Sequence, residues 1–364
     1  MKIAHVVDSM EMGGAETLVS QMSGLQREAG HNPCVYAIAD LGTLGEKMRA
    51  EGFSVQSNVG RKLTDSTRNF YHLFRNSRPD VVHLHNPTPT IYAAVAARTA
   101  GVCSVISTRH SLVAPPHNMR AEFKYAIAAR FCDWITGICE ATTENLRNLN
   151  NVPARKLVCV YNGAAPLRRA VKGGWPSKDG FTLVYVGRLE PVKNHTLLLK
   201  AFRDAHTSMP HLRLWMVGDG SERKGLEKLT TELAIAGQVT FWGQQHDVAP
   251  FLSAADAFIM SSKSEGLPIS LLQAFSLGLP AIVTDVGGMA EVVKLAKAGI
   301  TASLTEPAEM TAAILRMAAN HLEREQFARN AEATFNSRFS LQSMVNCYMK
   351  LYENTSRAQR MAKK

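Results

Sequence analysis

The segment that decides the fold class reads Thr182-Leu183-Val184-Tyr185-Val186-Gly187-Arg188-Leu189-Glu190-Pro191-Val192-Lys193-Asn194. Its first five residues form a short apolar run rich in β-branched side chains, which predicts a buried strand. A glycine ends this strand, and two cations follow at positions 188 and 193. Because open parallel sheets bind ligands beyond the carboxyl ends of their strands, the segment predicts an anion site at the edge of such a sheet.

Strand-like and helix-like patterns alternate on both sides of this segment, which indicates an α/β protein with parallel sheets. The predicted strands are residues 3–7, 32–38, 81–85, 104–107, 134–137, 157–160, 182–187, 213–217, 239–242, 257–260 and 281–284. The predicted helices include residues 15–29, 44–51, 91–100, 120–131, 141–148 and 306–320.

A predicted linker separates two similar halves of this pattern. The alternation restarts after a basic stretch that contains Gly173-Gly174-Trp175-Pro176, and glycine with proline is typical of a connection. With 364 residues, 46% of them hydrophobic, the chain is long enough for two cores. We therefore predict Rossmann-like domains over residues 1–166 and 167–339. A helix and a basic tail follow at 340–364, and the apolar face of this helix requires a packing partner.

Composition predicts a cytoplasmic protein. No stretch reaches ~18 uninterrupted apolar residues, so no membrane-spanning helix is expected. The apolar run at the start of the chain is too short for a signal peptide and reads as a strand. Six cysteines, none in a C-x-x-C pair, are interpreted as reduced packing residues, and no zinc site is expected. They are Cys34, Cys103, Cys132, Cys139, Cys159 and Cys347.

Two short segments carry much of the net charge of +10, and neither contains an acid. The cations in residues 167–178 and 354–364 are Arg168, Arg169, Lys172, Lys178, Arg357, Arg360, Lys363 and Lys364. One interpretation is a solvated linker and tail. The other is contact with an anionic membrane surface or a lipid-pyrophosphate acceptor. Nucleic acid is not favoured, because no recognition module is visible.

The turn after the first predicted strand contains Gly13-Gly14-Ala15-Glu16 and opens a helix. Glycines there let the backbone approach a ligand closely, and a helix N-terminus favours an anion. The alternative is a tight turn without a ligand. The motif is not G-x-G-x-x-G, so a nicotinamide cofactor is poorly supported.

Arg188 and Lys193 suit a diphosphate, because arginine offers a planar fork to phosphate oxygens and lysine a movable point charge. The alternative is two solvated surface cations. The sequence contains no D-x-D motif that would hold a divalent metal for the same purpose. We therefore expect no metal at this site.

A third motif, Ser264-Glu265-Gly266-Leu267-Pro268, leads into a predicted helix. The amides of Ile269 and Ser270 would point out of the helix start towards a phosphate. A carboxylate at Glu265 fits the hydroxyl groups of a sugar, or else it caps the helix.

Histidines end two predicted strands of the first half. His110 lies in Thr108-Arg109-His110 and is either a functional or a structural histidine. His83 and His85 also fit a strand end, and one of them is expected to be structural.

In this order and at these spacings the motifs resemble the retaining, family 4 (group 1) type of GT-B glycosyltransferases, over nearly the whole chain. Further landmarks are Asp80-Val81-Val82-His83-Leu84-His85, Tyr161-Asn162-Gly163, Val217-Gly218-Asp219-Gly220 and Asp285-Val286-Gly287-Gly288. The resemblance implies two Rossmann-like domains whose parallel sheets face a central cleft. It also implies a C-terminal helix that returns to the N-terminal domain.

The resemblance assigns the donor diphosphate to Arg188 and Lys193, to the amides of Ile269 and Ser270, and to the turn at Gly13 and Gly14. It also implies two residues at the reacting sugar: Glu265, which contacts sugar hydroxyls, and His110. Gln273 stands where the family usually has a second glutamate, which holds the nucleotide ribose. A neutral amide bonds less strongly than a carboxylate, by roughly 1–2 kcal/mol.

The implied activity is retaining transfer of a hexosyl-type sugar from a nucleoside-diphosphate sugar, a UDP-sugar rather than a GDP-sugar, without metal or cofactor. The acceptor would be a hydroxyl of a glycan, lipid-linked glycan or polysaccharide, and the acceptor loop at residues 112–119, with Pro115-Pro116-His117, does not identify it. Two alternatives remain: a non-catalytic member that binds a sugar nucleotide, and a sugar-nucleotide epimerase.

Overall fold

The computed structural model describes residues 1–11, 13–57, 63–113, 118–149, 152–169 and 180–362, with the backbone alone for 356–362. The predicted linker glycines, Lys172, Lys178 and the triplet at 115–117 lie outside the described residues, as do the side chains of the basic tail. The chain divides into two compact units. The first unit comprises Met1–Gly163 with Leu341–Lys364, and the second comprises Ala164–Ser340. The sequence predicted the boundaries between these parts of the chain three residues later, between 166 and 167, and one residue earlier, between 339 and 340.

The first unit contains a seven-stranded parallel sheet in the order β3-β2-β1-β4-β5-β6-β7. Its strands are β1 Lys2–Val7, β2 Asn32–Ala37, β3 Ser54–Ser57, β4 Val81–His85, β5 Ser104–Arg109, β6 Trp134–Gly137 and β7 Leu157–Cys159. The helices that connect them are α1 Gly14–Glu28, α2 Gly42–Ala50, α3 Leu63–Ser77, α4 Pro87–Thr99, α5 Met119–Ala129 and α6 Glu140–Asn148.

The second unit contains a six-stranded parallel sheet in the order β10-β9-β8-β11-β12-β13. Its strands are β8 Phe181–Val186, β9 Leu212–Val217, β10 Val239–Gly243, β11 Ala257–Met260, β12 Ala281–Thr284 and β13 Gly299–Ala302. Its helices are α7 His195–Ser208, α8 Arg223–Glu232, α9 Ala249–Ala254, α10 Ile269–Ser276, α11 Gly287–Ala296, α12 Pro307–Ala319 and α13 His321–Thr334.

The strand order reverses at the same point in both sheets, between β1 and β4 in the first unit and between β8 and β11 in the second. At such a switch point the connecting loops leave in opposite directions and open a crevice beyond the carboxyl ends of the strands. The four central strands are almost wholly buried and rich in valine, isoleucine and leucine, as expected for strands covered on both faces. The predicted fold class, two Rossmann-like units with parallel sheets, is confirmed.

Two strands were missed by the sequence prediction. The strand Ser54–Ser57 lies at a sheet edge and has one buried side chain in four, so it lacks a hydrophobic run. The strand Gly299–Ala302 lies at the edge of the other sheet and is mostly half-buried. Edge strands are short and partly solvated, which leaves little apolar signal in the sequence.

The last helix, α14 Leu341–Ala362, belongs to the first unit, as the family resemblance implied. Among the described residues, its buried side chains are Leu341, Met344, Val345, Tyr348, Tyr352 and Thr355. The Tyr348 hydroxyl lies 3.0 Å from Thr108 Oγ1 on β5, and Trp134 Nε1 donates to Thr355 Oγ1 at 2.9 Å. Apolar burial and these hydrogen bonds together hold the end of the chain on the first sheet.

The cysteine prediction needs one correction. All six cysteines are free thiols, and Cys34, Cys132 and Cys139 are buried as expected of packing residues. Cys347 is exposed, because it lies on the outward face of α14. Among the described residues, no helix combines the length and apolar character needed to cross a bilayer.

We expect Gly218→Ala to destabilise the second unit. Gly218 has φ +139°, and an added Cβ would lie 1.9 Å from the Gly187 carbonyl oxygen, so strain and collision together should lower the free energy of unfolding by about 3 kcal/mol. Gly225 in α8 is the control: its Cβ meets nothing within 4 Å. Gly225→Ala should therefore stabilise the protein by about 1 kcal/mol, from helix propensity alone. Urea unfolding followed by circular dichroism measures both, and equal midpoints would contradict the prediction.

Candidate active site

The loop after β8 carries both predicted diphosphate cations. Arg188 is exposed, and Lys193 ends a short 3-10 turn at Pro191–Lys193 that leads into α7. The buried Tyr185 hydroxyl donates to the Arg188 carbonyl oxygen at 2.8 Å. This bond fixes the backbone at Arg188 while leaving the guanidinium in solvent, where it is available to an anion.

Glycines pack the neighbouring loop, after β9, directly against this one. The Gly187 amide donates to the Val217 carbonyl at 3.0 Å, and the Leu189 amide donates to the Asp219 carbonyl at 2.9 Å. A Cβ at Gly220 would lie 2.4 Å from the Leu189 carbonyl oxygen. The Val217–Gly220 landmark therefore reflects backbone packing that positions the Arg188 loop.

The loop after β11 is tied to the same segment by short hydrogen bonds. Ser261 Oγ donates to the Lys193 carbonyl at 2.9 Å, and the Lys263 amide donates to the Val192 carbonyl at 2.8 Å. Thr284 Oγ1, at the end of β12, donates to the Ser262 carbonyl at 2.7 Å. These bonds join the ends of three adjacent strands into one support for the predicted site.

Lys193 and Glu265 form an ion pair across these two loops. Their side chains are 14% and 19% exposed, and Ser262 Oγ lies 3.5 Å from Glu265 Oε2. From the sequence, the two residues were predicted to act separately, Lys193 on the phosphate and Glu265 on the sugar. The pairing explains how a carboxylate is tolerated beside the predicted anion site, because Lys193 compensates its charge.

The third motif leads to the N-terminus of α10. Pro268 is its extended N-cap residue, and no described side chain caps the helix. The first helical bond in this turn runs from the Leu272 amide to the Pro268 carbonyl, so the amides of Ile269 and Ser270 precede it. Amides in this position are donors for a phosphate oxygen. Gln273 lies half-buried one turn further along the same helix.

The glycine turn of the first unit lies at the start of α1. Gly13 has φ −151°, and Gly14 is the first helical residue, so neither position requires the conformational freedom of glycine. A Cβ at Gly14 would meet nothing within 4 Å. The open space above Gly14 leaves room for a ligand to approach its backbone, whereas a Cβ at Gly13 would meet the Glu16 carboxylate.

His110 ends a chain of hydrogen-bonded side chains that runs through the first sheet. Gln26 Oε1 lies 2.8 Å from His5 Nε2, His5 Nδ1 lies 3.1 Å from His85 Nε2, and His85 Nδ1 lies 3.1 Å from His110 Nε2. With the Gln26 oxygen as acceptor, each neutral ring donates from Nε2 and accepts at Nδ1. The Nδ1 of His110 is then the acceptor at the end of the chain.

Burial keeps this chain of histidines neutral. It lowers the pKa of His5 and of His110 from the usual 6.5 to about 4. For His85, burial together with neighbouring His83 and His5 lowers the pKa well below its usual value. At neutral pH the chain therefore orients His110 through hydrogen bonds, without adding positive charge.

His83 has a different set of partners. Its Nδ1 lies 2.7 Å from the Tyr352 hydroxyl of α14, and its Nε2 lies 2.6 Å from Thr108 Oγ1. It thus links the last helix to the sheet, which is a structural contact, while His85 contacts His110. His5 and Gln26 were not predicted from the sequence. His5 could have been found, because it lies on the first strand and β1 pairs with β4 so that His5 is in register with His83.

One group of described residues is compact enough to hold a metal ion. The ligand atoms of His5, His83 and His85 lie within 4.8 Å of one another. All their ring nitrogens already take part in the hydrogen bonds given above, and the rings are buried. A metal would have to break several of these bonds, so the donor set fits a hydrogen-bonded network better than a cation site.

The fold and these two clusters define a class of protein: two Rossmann-like units with a predicted anion site in the C-terminal one. Comparison with known families makes the class specific. The family model for Glycosyl transferases group 1 matches residues 170–334, and that for Glycosyltransferase Family 4 matches residues 12–166. The chain belongs to this glycosyltransferase family.

Individual relatives agree with this assignment. The lipopolysaccharide core biosynthesis glycosyltransferase LpsE of Rhizobium meliloti is 31% identical over 48% of this chain. A UDP-Gal:alpha-D-GlcNAc-diphosphoundecaprenol alpha-1,3-galactosyltransferase of Escherichia coli is 28% identical over 62% of it. The match spans half the length of the first relative and 62% of the second. The structure of Anabaena HepE in complex with UDP superposes with a TM-score of 0.85 at 19% identity, covering 97% of this chain and all of HepE, and confirms the GT-B fold.

The histidine chain predicts a pH-dependent stability. Because the folded pKa of His5 lies below its unfolded value of 6.5, its contribution is complete above pH 6.5 and is lost as the pH falls towards 4. Between about pH 7 and pH 5 this loss is about 2 kcal/mol. We expect His5→Gln to flatten the pH dependence of the unfolding free energy by that amount, measured by urea titration at each pH. His321→Gln, at an exposed site on α13, is the control; an unchanged slope in His5→Gln would refute the assignment.

Proposed function

We propose that the protein is a retaining glycosyltransferase that moves a hexosyl-type sugar from a UDP-sugar to a hydroxyl of a glycan, lipid-linked glycan or polysaccharide. The observation that carries this proposal is the Lys193–Glu265 pair, which lies at a topological switch point with the N-terminus of α10 directly after Glu265 in the chain. It provides, within one unit, a cation for a diphosphate and a carboxylate for sugar hydroxyls. Family membership and the UDP held by HepE support the same donor class.

The proposed chemistry relies on electrostatic stabilisation of the leaving group. As the bond from the anomeric carbon to the diphosphate breaks, negative charge grows on the phosphate oxygens. Arg188, Lys193 and the amides of Ile269 and Ser270 would stabilise that charge, and the proposal includes no metal or cofactor.

The acceptor hydroxyl would attack the anomeric carbon from the face that the diphosphate leaves. The new bond joins the acceptor oxygen to that carbon, the old bond to the phosphate oxygen breaks, and the acceptor proton passes to the departing phosphate. Configuration is then retained. Glu265 would bind sugar hydroxyls and is not assigned as a nucleophile, because its carboxylate is paired with Lys193. His110, neutral at pH 7, would offer its Nδ1 as a hydrogen-bond acceptor to a sugar hydroxyl.

A lipid-linked glycan is the acceptor class that the comparisons support best. The Escherichia coli relative is named for a diphosphoundecaprenol acceptor, and LpsE for lipopolysaccharide core synthesis. This acceptor class fits a cytoplasmic protein that makes peripheral contact with an anionic membrane. It leaves no role for nucleic acid.

One observation favours a second candidate, a member that binds sugar nucleotides without transferring them. Gln273 replaces the glutamate that usually holds the ribose in this family. Incubation with a panel of UDP- and GDP-sugars, with release of nucleotide as the readout, separates the two. Binding of a donor with no release from any donor in the panel would support the binding-only candidate.

We expect Lys193→Ala and Glu265→Ala each to lower the transfer rate by about 10²-fold or more, because each removes a charge from the reacting centre. Lys200→Ala, at an exposed position on α7, should transfer sugar as the wild type does. Initial rates with the donor found in the panel measure the effect, and circular dichroism verifies the fold. Wild-type turnover in a folded Lys193 or Glu265 variant would rule out this site.

Gln273→Glu should tighten UDP binding by about tenfold, because a carboxylate makes a charge-assisted hydrogen bond to the ribose hydroxyls. Gln326→Glu adds the same charge on α13, where the side chain is exposed, and should leave affinity unchanged. Isothermal titration calorimetry with UDP measures both constants. Equal or weaker binding by Gln273→Glu would place this residue away from the ribose.

A further inference from the structure

A stripe of apolar side chains runs along the outer face of α5. Met119, Phe123, Ile127 and Phe131 follow one another at intervals of four residues, which places them on one side of the helix and its end. They are 69%, 67%, 42% and 38% exposed. Among the described residues, eight large hydrophobic side chains are exposed, and these four form a continuous group. Single exposed hydrophobic residues are ordinary, whereas a continuous patch marks an interaction surface.

The inner face of the same helix is already fully packed. Tyr125, Ala128 and Ala129 are buried, and the Tyr125 hydroxyl lies 3.3 Å from Ser107 Oγ on β5. Arg109 pairs with Glu122 at 2.7 Å beneath the helix. Among the described residues, the outer stripe is therefore largely additional to the core of the first unit, with Met119 and Phe123 the most exposed.

Cations flank the stripe, and the nearby acids are compensated. Arg120, Lys124 and Arg130 are exposed beside the apolar residues. On the stretch from 119 to 133 the acids are Glu122, paired with Arg109, and Asp133, paired with Arg98. The surface thus combines apolar side chains with uncompensated positive charge, which is complementary to an anionic lipid headgroup layer above acyl chains.

We propose that α5 docks the protein on an anionic phospholipid bilayer. Met119, Phe123 and Ile127 enter the boundary between headgroups and acyl chains, and the flanking cations contact lipid phosphates. The advantage of docking for catalysis rests on the proposed function. Because α5 begins nine residues after His110, docking would bring that residue close to a lipid-linked acceptor. Docking itself does not depend on catalysis.

Vesicle co-sedimentation of the full chain tests the proposal, with phosphatidylcholine vesicles that contain or lack phosphatidylglycerol. The apolar test variant is Met119→Ser with Phe123→Ser, and Leu322→Ser is its control, because Leu322 is 78% exposed on α13 of the other unit. The charge test variant is Arg120→Glu with Lys124→Glu. Its control is Lys200→Glu with Lys228→Glu, two exposed lysines of the second unit.

The wild type and both controls should bind only the anionic vesicles, and binding should weaken as salt is raised. Each α5 variant should partition at least about tenfold more weakly. Wild-type partitioning by the α5 variants would overturn the proposal and assign binding to another basic segment. If the wild type were a dimer and the apolar variant a monomer, the stripe would be a self-association surface instead.

Nucleotide release from the donor in the absence of vesicles separates this proposal from the proposed function. All the variants should release nucleotide at the wild-type rate, because none of the substituted residues belongs to the candidate active site. Loss of vesicle binding with normal release supports docking by α5. Vesicle binding by a wild type that binds a donor but releases no nucleotide would leave docking intact and support the binding-only candidate.

Discussion

The Lys193–Glu265 ion pair is the interaction on which the second unit's candidate site depends. Removing two charges from water is costly, and the cost is recovered only when the partners are held close and in good geometry. The surrounding backbone provides that geometry: Ser261 ties the loop after β11 to the Lys193 carbonyl, and Gly218 allows the loop after β9 to pack against Gly187. The geometry of the ion pair therefore depends on the strand order and on the position of the glycines.

The first unit uses the same topology for a different kind of chemistry. At its switch point the groups are neutral: Gln26, His5 and His85 pass hydrogen bonds to His110 without contributing charge. A diphosphate requires charged groups and free amides, whereas hydroxyl groups of a sugar or an acceptor require hydrogen bonds of defined direction. The shared fold does not decide this difference; the side chains at the strand ends do.

Much of this arrangement could be predicted from the sequence, for a physical reason. Central parallel strands are buried on both faces, so they leave continuous apolar runs such as Phe181–Val186, and functional residues follow such runs directly. Long-range pairings leave no such local signal. His5 and Gln26 meet His85 only because β1 lies beside β4, and edge strands such as Ser54–Ser57 are too solvated to show a pattern. Helix α5 was predicted, over residues 120–131, but the face that it exposes depends on tertiary packing.

The C-terminal helix completes the polar network of the first sheet. Tyr352 and Tyr348, more than two hundred residues from β4 and β5 in the sequence, complete the hydrogen bonds of His83 and Thr108. Buried polar groups left without partners cost free energy, so the first sheet is stable in this form only with the last helix in place. The sequence between the two parts of the first unit is the whole second unit. Folding of the first unit therefore requires contacts between segments that are separated in the sequence by the whole second unit, so the hydrogen bonds of His83 and Thr108 are complete only once the last helix has been synthesised.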